Sequence, residues 1–135
     1  MPLNKLIPEI YCSDFDRSLK FYMDILGFKI KYARPEERFA FLEREGAEIM
    51  IEQPTDKSRT LVADDLVHSY GRGVNFQIAV TDIEHLYATV KKINQPLFLP
   101  LEEKQYRVGE TEIGQKQFVI MDPDGYMLRF AQNLE

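Results

Sequence analysis

Tryptophan is absent from this chain of 135 residues, cysteine occurs once and histidine twice. Without tryptophan the widest flat ring for stacking on a ligand is missing. The single cysteine, Cys12, closes no internal disulfide, and its place in an apolar run predicts a buried thiol, which fits a reducing cytoplasm. Neither histidine falls in a strand-like segment, and both His68 and His85 are expected at the surface. No apolar run approaches the roughly 20 residues that cross a membrane, and the opening Met1-Pro-Leu-Asn-Lys-Leu-Ile-Pro8 lacks the long apolar segment of a secretory signal. A basic excess is missing too. Lysine and arginine total 17 against 22 aspartates and glutamates, for a net charge of −5. That argues against nucleic acid, whose phosphates want a basic face. No nucleophile elbow, phosphate-binding loop or Cys-His pair occurs. Gly71-Arg72-Gly73 is too short for a dinucleotide fingerprint and reads as a turn.

What is present has the balance of a globular chain, 44% hydrophobic and 29% charged, long enough for one domain or two small halves sharing a core. The chain repeats itself. Ile7-Pro-Glu-Ile-Tyr-Cys-Ser-Asp14 is an apolar strand ending at an Asp, and so is Asn75-Phe-Gln-Ile-Ala-Val-Thr-Asp82. Each Asp stands where a helix N-cap belongs. Phe15, Leu19, Tyr22, Met23 and Leu26 then recur at helical spacing, as do Ile83, Leu86, Tyr87, Val90 and Ile93. Strands are expected at Phe28–Ala33, Phe39–Glu43 and Ala47–Gln53, and again at Pro96–Leu101, Gln115–Asp122 and Tyr126–Gln132. Arg44-Glu45-Gly46 and Asp122-Pro123-Asp124-Gly125 are the turns. The fold class is therefore α+β, with two βαβββ modules at about 4–53 and 75–133. A polar linker at about 54–74 joins them, with a short helical turn expected near Val62. Glu102–Gly114 is expected to be a loop.

Three features stand together: the duplicated plan, the run Ser13-Asp14-Phe15-Asp16-Arg17-Ser18-Leu19-Lys20-Phe21-Tyr22 followed by Leu26-Gly27-Phe28, and the Asp122-Pro-Asp-Gly-Tyr-Met-Leu-Arg-Phe130 hairpin. They resemble the vicinal-oxygen-chelate superfamily of glyoxalases, bleomycin-resistance proteins and extradiol dioxygenases. The likeness spans about Leu6 to Asn133. Asp14-Phe15-Asp16 and the ending Asp122 to Asn133 look most like bleomycin-resistance proteins. The resemblance implies one domain over 1–135, a curved, cup-shaped mixed sheet with helices outside, and a homodimer.

It also implies four positions that hold a divalent metal in the enzymes of the superfamily. Here they are Ile7, Glu52, Asn75 and Arg129. Isoleucine offers no donor, asparagine a weak amide oxygen, and arginine a permanent positive charge. One carboxylate and one amide fall short of the three or four N or O donors such a metal needs. No metal and no cofactor are therefore expected, and the reading leans away from an enzyme.

Strand alternation places Glu9 and Tyr11 on the face of Ile7, Gln77 and Ala79 on that of Asn75, and Met127 and Ala131 on that of Arg129. Such a face reads as a ligand pocket, with Arg129 expected to pair with Glu52 or Glu9. In bleomycin-resistance proteins aromatic rings at the pocket mouth stack on the drug. Phe39 matches that role, Tyr106 or Phe118 would supply the opposing ring, and Phe41 is expected in the core. The acidic pairs Glu36-Glu37, Asp64-Asp65 and Glu102-Glu103 are expected to be solvated, though their field would favour a cationic ligand. The expected function is metal-independent sequestration of a planar small molecule, such as a cationic glycopeptide antibiotic, in the cytoplasm, with no nucleic acid or membrane partner. The alternatives are a metal-dependent lyase, isomerase or dioxygenase, and a ligand sensor of the same fold.

Overall fold

A computed structural model describes residues 4–55, 60–62 and 64–134. The chain divides into two compact units, Met1–Tyr70 and Gly71–Glu135, and the boundary falls inside the expected linker. The described part of that linker contains no helix near Val62; Ala63, within the expected turn, lies outside the described residues. No helix among the described residues is long and apolar enough to cross a membrane.

In the first unit β1 (Glu9–Tyr11) leads to α1 (Phe15–Lys20), which widens into a π-helical turn over Phe21–Ile25. β2 (Lys29–Arg34), β3 (Phe39–Arg44) and β4 (Ala47–Glu52) follow. The second unit repeats the order with β5 (Asn75–Ala79), α2 (Ile83–Lys92), β6 (Leu97–Val108), β7 (Thr111–Met121) and β8 (Met127–Leu134). The sheets are ordered β1-β4-β3-β2 and β5-β8-β7-β6. In each, the first strand runs parallel to the last and the remaining pairs are antiparallel. The repeat seen in the sequence is therefore a repeat of topology.

The caps form as expected. The Asp14 carboxylate accepts from Arg17 N at 3.2 Å, and that of Asp82 from His85 N at 3.2 Å. Each satisfies a backbone donor that the first helical turn leaves unpaired. Each sheet buries one face under its helix. In the second unit that face carries Phe118, Ile120, Leu128 and Phe130, all fully buried. The Phe118 and Phe130 rings stack at 5.4 Å, and Tyr87 of α2 meets Phe118 at 5.2 Å.

The β7–β8 hairpin closes through Asp122, whose Oδ1 accepts from Asp124 N (2.9 Å) and Tyr126 N (3.0 Å). Gly125 supplies φ +95°, the left-handed conformation such a turn requires. This turn sets the register that matters for the site, Val119 opposite Arg129 and Phe118 opposite Phe130.

Glu102–Gly114 is not a loop. It is the outer half of a long hairpin, paired from Glu102–Gln117 to Val108–Thr111. Its tip is the two-residue turn Gly109-Glu110, with φ +63° at Gly109. Glycine first in a two-residue hairpin loop is a recognised turn signal. The segment reads as a loop in sequence because most of its side chains are exposed on both faces of the arm, which removes the apolar alternation that marks a half-buried strand.

Candidate functional site

The face of the second sheet away from α2 carries the chemistry. Parallel pairing sets Gln77 of β5 beside Arg129 of β8 and Ala79 beside Ala131. Antiparallel pairing adds Gln117 beside Ala131 and Gln115 beside Asn133. The β6–β7 arm brings Tyr106 opposite Ile113. A cleft of about 180 Å³ opens there, lined by Gln77, Tyr106, Val108, Ile113, Gln115 and Arg129. A larger space of about 420 Å³ shares the Gln77 and Gln115 walls and continues along Ala79, Thr81, Ala131 and Asn133.

Arg129 is half-buried, and its Nη2 donates to Gln77 Oε1 at 2.7 Å. Its Nε is sequestered and has no hydrogen-bond partner among the described residues. Within this unit no described carboxylate pairs with it, and the partner found there is a neutral amide. Tyr106 is fixed from behind. Its hydroxyl donates to Gln117 Oε1 (3.0 Å), and Gln117 Nε2 donates to Glu102 Oε2 (2.8 Å). Gln117 is only 4% exposed, so this partly buried chain of bonds has a buried centre and anchors Tyr106 at the wall of the cleft. Gln115 is held by a bond from its Nε2 to Asn133 Oδ1 at 2.9 Å.

Of the residues singled out in the sequence, the cleft brings together Gln77, Tyr106 and Arg129. Asn75 lies one step up the same face of β5, exposed, beside Met127. Phe118 does not belong here. It lies on the opposite face, fully buried against α2, because adjacent strand residues point to opposite faces and Gln117 takes the cleft side. The expectation of an opposing ring at Phe118 is thereby corrected. Glu9, Tyr11, Phe39 and Glu52 belong to the first unit.

There Tyr11 pairs with Glu52 across β1 and β4, and the Tyr11 hydroxyl accepts from Leu61 N at 2.8 Å. Phe39, opposite Glu52, is 3% exposed. The Arg34 guanidinium sits 4.1 Å above its ring centre and Tyr32 packs beside it. Its ring is covered by Arg34 instead of standing open at a pocket mouth. Phe41 is buried, as expected, and stacked on Tyr32. Sequence reasoning missed Val108, Ile113, Gln115 and Gln117, all on the arm read as a loop or at its base. The signal that would have found them is Gly109-Glu110 as a hairpin turn.

The relatives bear on this site. The family model for the glyoxalase/bleomycin resistance protein/dioxygenase superfamily matches residues 7–130. The chain belongs to that superfamily. A lactoylglutathione lyase of Haemophilus influenzae is 29% identical over 125 residues, which are 89% of this chain and 85% of that protein. A superfamily member from Vibrio splendidus 12B01 is 39% identical, covering 93% of this chain and 95% of the other, with a TM-score of 0.44. TioX from Micromonospora sp. ML1 is 20% identical over 97% of this chain and 99% of its own, with a TM-score of 0.71, a likeness of fold.

Membership raises the question of a metal, and the side chains at the matching positions do not fit one. Ile7 has no donor atom. Asn75 offers one weak amide oxygen, and Arg129, on the neighbouring strand, a fixed cation. Glu52 supplies the one carboxylate of the four. Among the described residues no group of three His, Cys, Asp or Glu side chains converges to hold an ion.

Proposed function

We propose that this member of the superfamily binds and sequesters a planar small molecule without a metal ion. It would do so in the cytoplasm as a homodimer, in the manner of a bleomycin-resistance protein. The observation that carries the reading is Arg129. Where the resemblance implies a metal ligand in the enzymes of the superfamily, this chain has a guanidinium bonded to Gln77 at 2.7 Å. The cleft around it combines an aromatic wall, two aliphatic side chains and a few fixed polar groups, the usual composition of a small-molecule site.

Titration of the chelator-treated protein with copper-free bleomycin, followed by calorimetry, tests this. The expected result is saturable binding near one drug per chain, unchanged by chelator and weakened by Tyr106→Ala. No heat at high micromolar drug would remove bleomycin as the ligand.

A second reading, metal-dependent lyase chemistry, draws on the Haemophilus influenzae relative. Metal analysis of the purified protein and a lactoylglutathione lyase assay with added divalent metal decide between them. Turnover that depends on bound metal would replace the binding reading.

A further inference from the structure

We infer that the cleft of the second unit recognises a carboxylate, held by Arg129, on a ligand whose apolar body lies against Tyr106, Val108 and Ile113. This rests on the reading of the protein as a metal-independent binder of small molecules, and names the group that meets the guanidinium whatever charge the rest of the ligand carries.

Among the six residues lining the cleft, Arg129 alone has a formal charge. Among the described residues of the unit its side-chain hydrogen bond goes to the neutral amide of Gln77, and its Nε is buried without a partner. A half-buried cation among amides and hydrocarbon is costly unless an anion compensates it. Glu102, the carboxylate that reaches this network, is engaged by Gln117. Guanidinium and carboxylate match in plane and spacing, which makes a carboxylate the fitting partner.

The cleft holds about 180 Å³, the room of about six waters, which suits a small aromatic or branched acid. Tyr106 lines the cleft with its hydroxyl committed to Gln117, which leaves the ring as its apolar contribution. Val108 and Ile113 stand on the two strands of the same arm. A longer ligand continues past Gln77 and Gln115 into the adjoining space, where amide side chains would meet polar substituents.

The test compares naphthoate with naphthamide, which share a shape and differ in charge, titrated by calorimetry into chelator-treated protein. Naphthoate should bind about tenfold or more tighter, and the gap should narrow as salt is added. Arg129→Gln should erase the preference, Arg129→Lys should keep part of it, and Tyr106→Ala should weaken both ligands alike. Circular dichroism checks that each variant is folded. If Arg129→Gln does not fold, the acid–amide comparison on the unmodified protein decides by itself. Equal affinity for the two probes, or a preference that survives Arg129→Gln, would overturn the inference. If neither probe binds while bleomycin does, the carboxylate inference fails and the small-molecule reading stands. If neither probe nor bleomycin binds, the carboxylate inference fails and bleomycin is removed as the ligand.

Discussion

Glu48 is a residue whose ionisation the fold perturbs. It is 9% exposed on β4 and accepts from Lys31 Nζ and, at 2.9 Å, from Asn4 N. The Lys31 contact foremost, and then the Asn4 N–H, hold its carboxyl below the ordinary 4.5. A carboxyl depressed in the folded state binds its proton more readily when unfolded. Its stabilisation is therefore fully present above the ordinary value and is lost as pH falls through the folded one. Glu48→Gln should lower the melting temperature at neutral pH, and the difference from the unmodified protein should shrink on acidification. A difference independent of pH would mean that packing, not charge, is what Glu48 supplies.

Asp14 and Asp82 were legible in the sequence as caps because a carboxylate before an amphipathic stripe has few other uses. Gln77 and Arg129 were legible because alternation fixes a face once one residue is placed. Phe118 was not, although the information existed. The turn at Asp122 pairs Phe118 with Phe130 and Val119 with Arg129, and a shift of one residue exchanges the two faces of a strand. Phe39 was misplaced for a different reason. Its cover, Arg34, comes from a neighbouring strand, and no local pattern announces such a contact.

Among the elements, the β7–β8 hairpin is closed by one side chain. Asp122 is 5% exposed and satisfies two backbone donors in the turn. Asp122→Ala would leave both without that partner, an expected loss of about 2–4 kcal/mol. A shifted denaturant midpoint at constant slope would report it. An unchanged midpoint would show that the turn closes without the carboxylate. Gly71 packs against the same hairpin so closely that a Cβ would come within 2.6 Å of Tyr126 Cα. The first helix departs from its expected winding. Leu26 N donates to Phe21 O and Phe28 N to Tyr22 O, so the α-helix loosens into a wide final turn. The apolar stripe signalled a helix there but not its change of pitch.

At the scale of the whole molecule, two units of one topology confirm that the internal repeat was the strongest signal in the chain. Strand–Asp–helix–three strands occurs twice in sequence and twice in structure. The expected homodimer is a matter for solution measurement. Sedimentation equilibrium should give twice the chain mass of 15.8 kDa, and a single-chain mass at high micromolar protein would exclude it.

The long arm bears on how any second copy could approach. β6, at twelve residues, is the outermost strand of its sheet. An exposed edge of that length is a template on which another chain can extend the sheet. This edge is guarded. Pro100 removes a backbone donor, bulges interrupt the register between Leu97 and Glu102, and Glu103, Lys104 and Arg107 are exposed along it. Self-association through strand addition is thereby discouraged at β6, which protects the arm from aggregation.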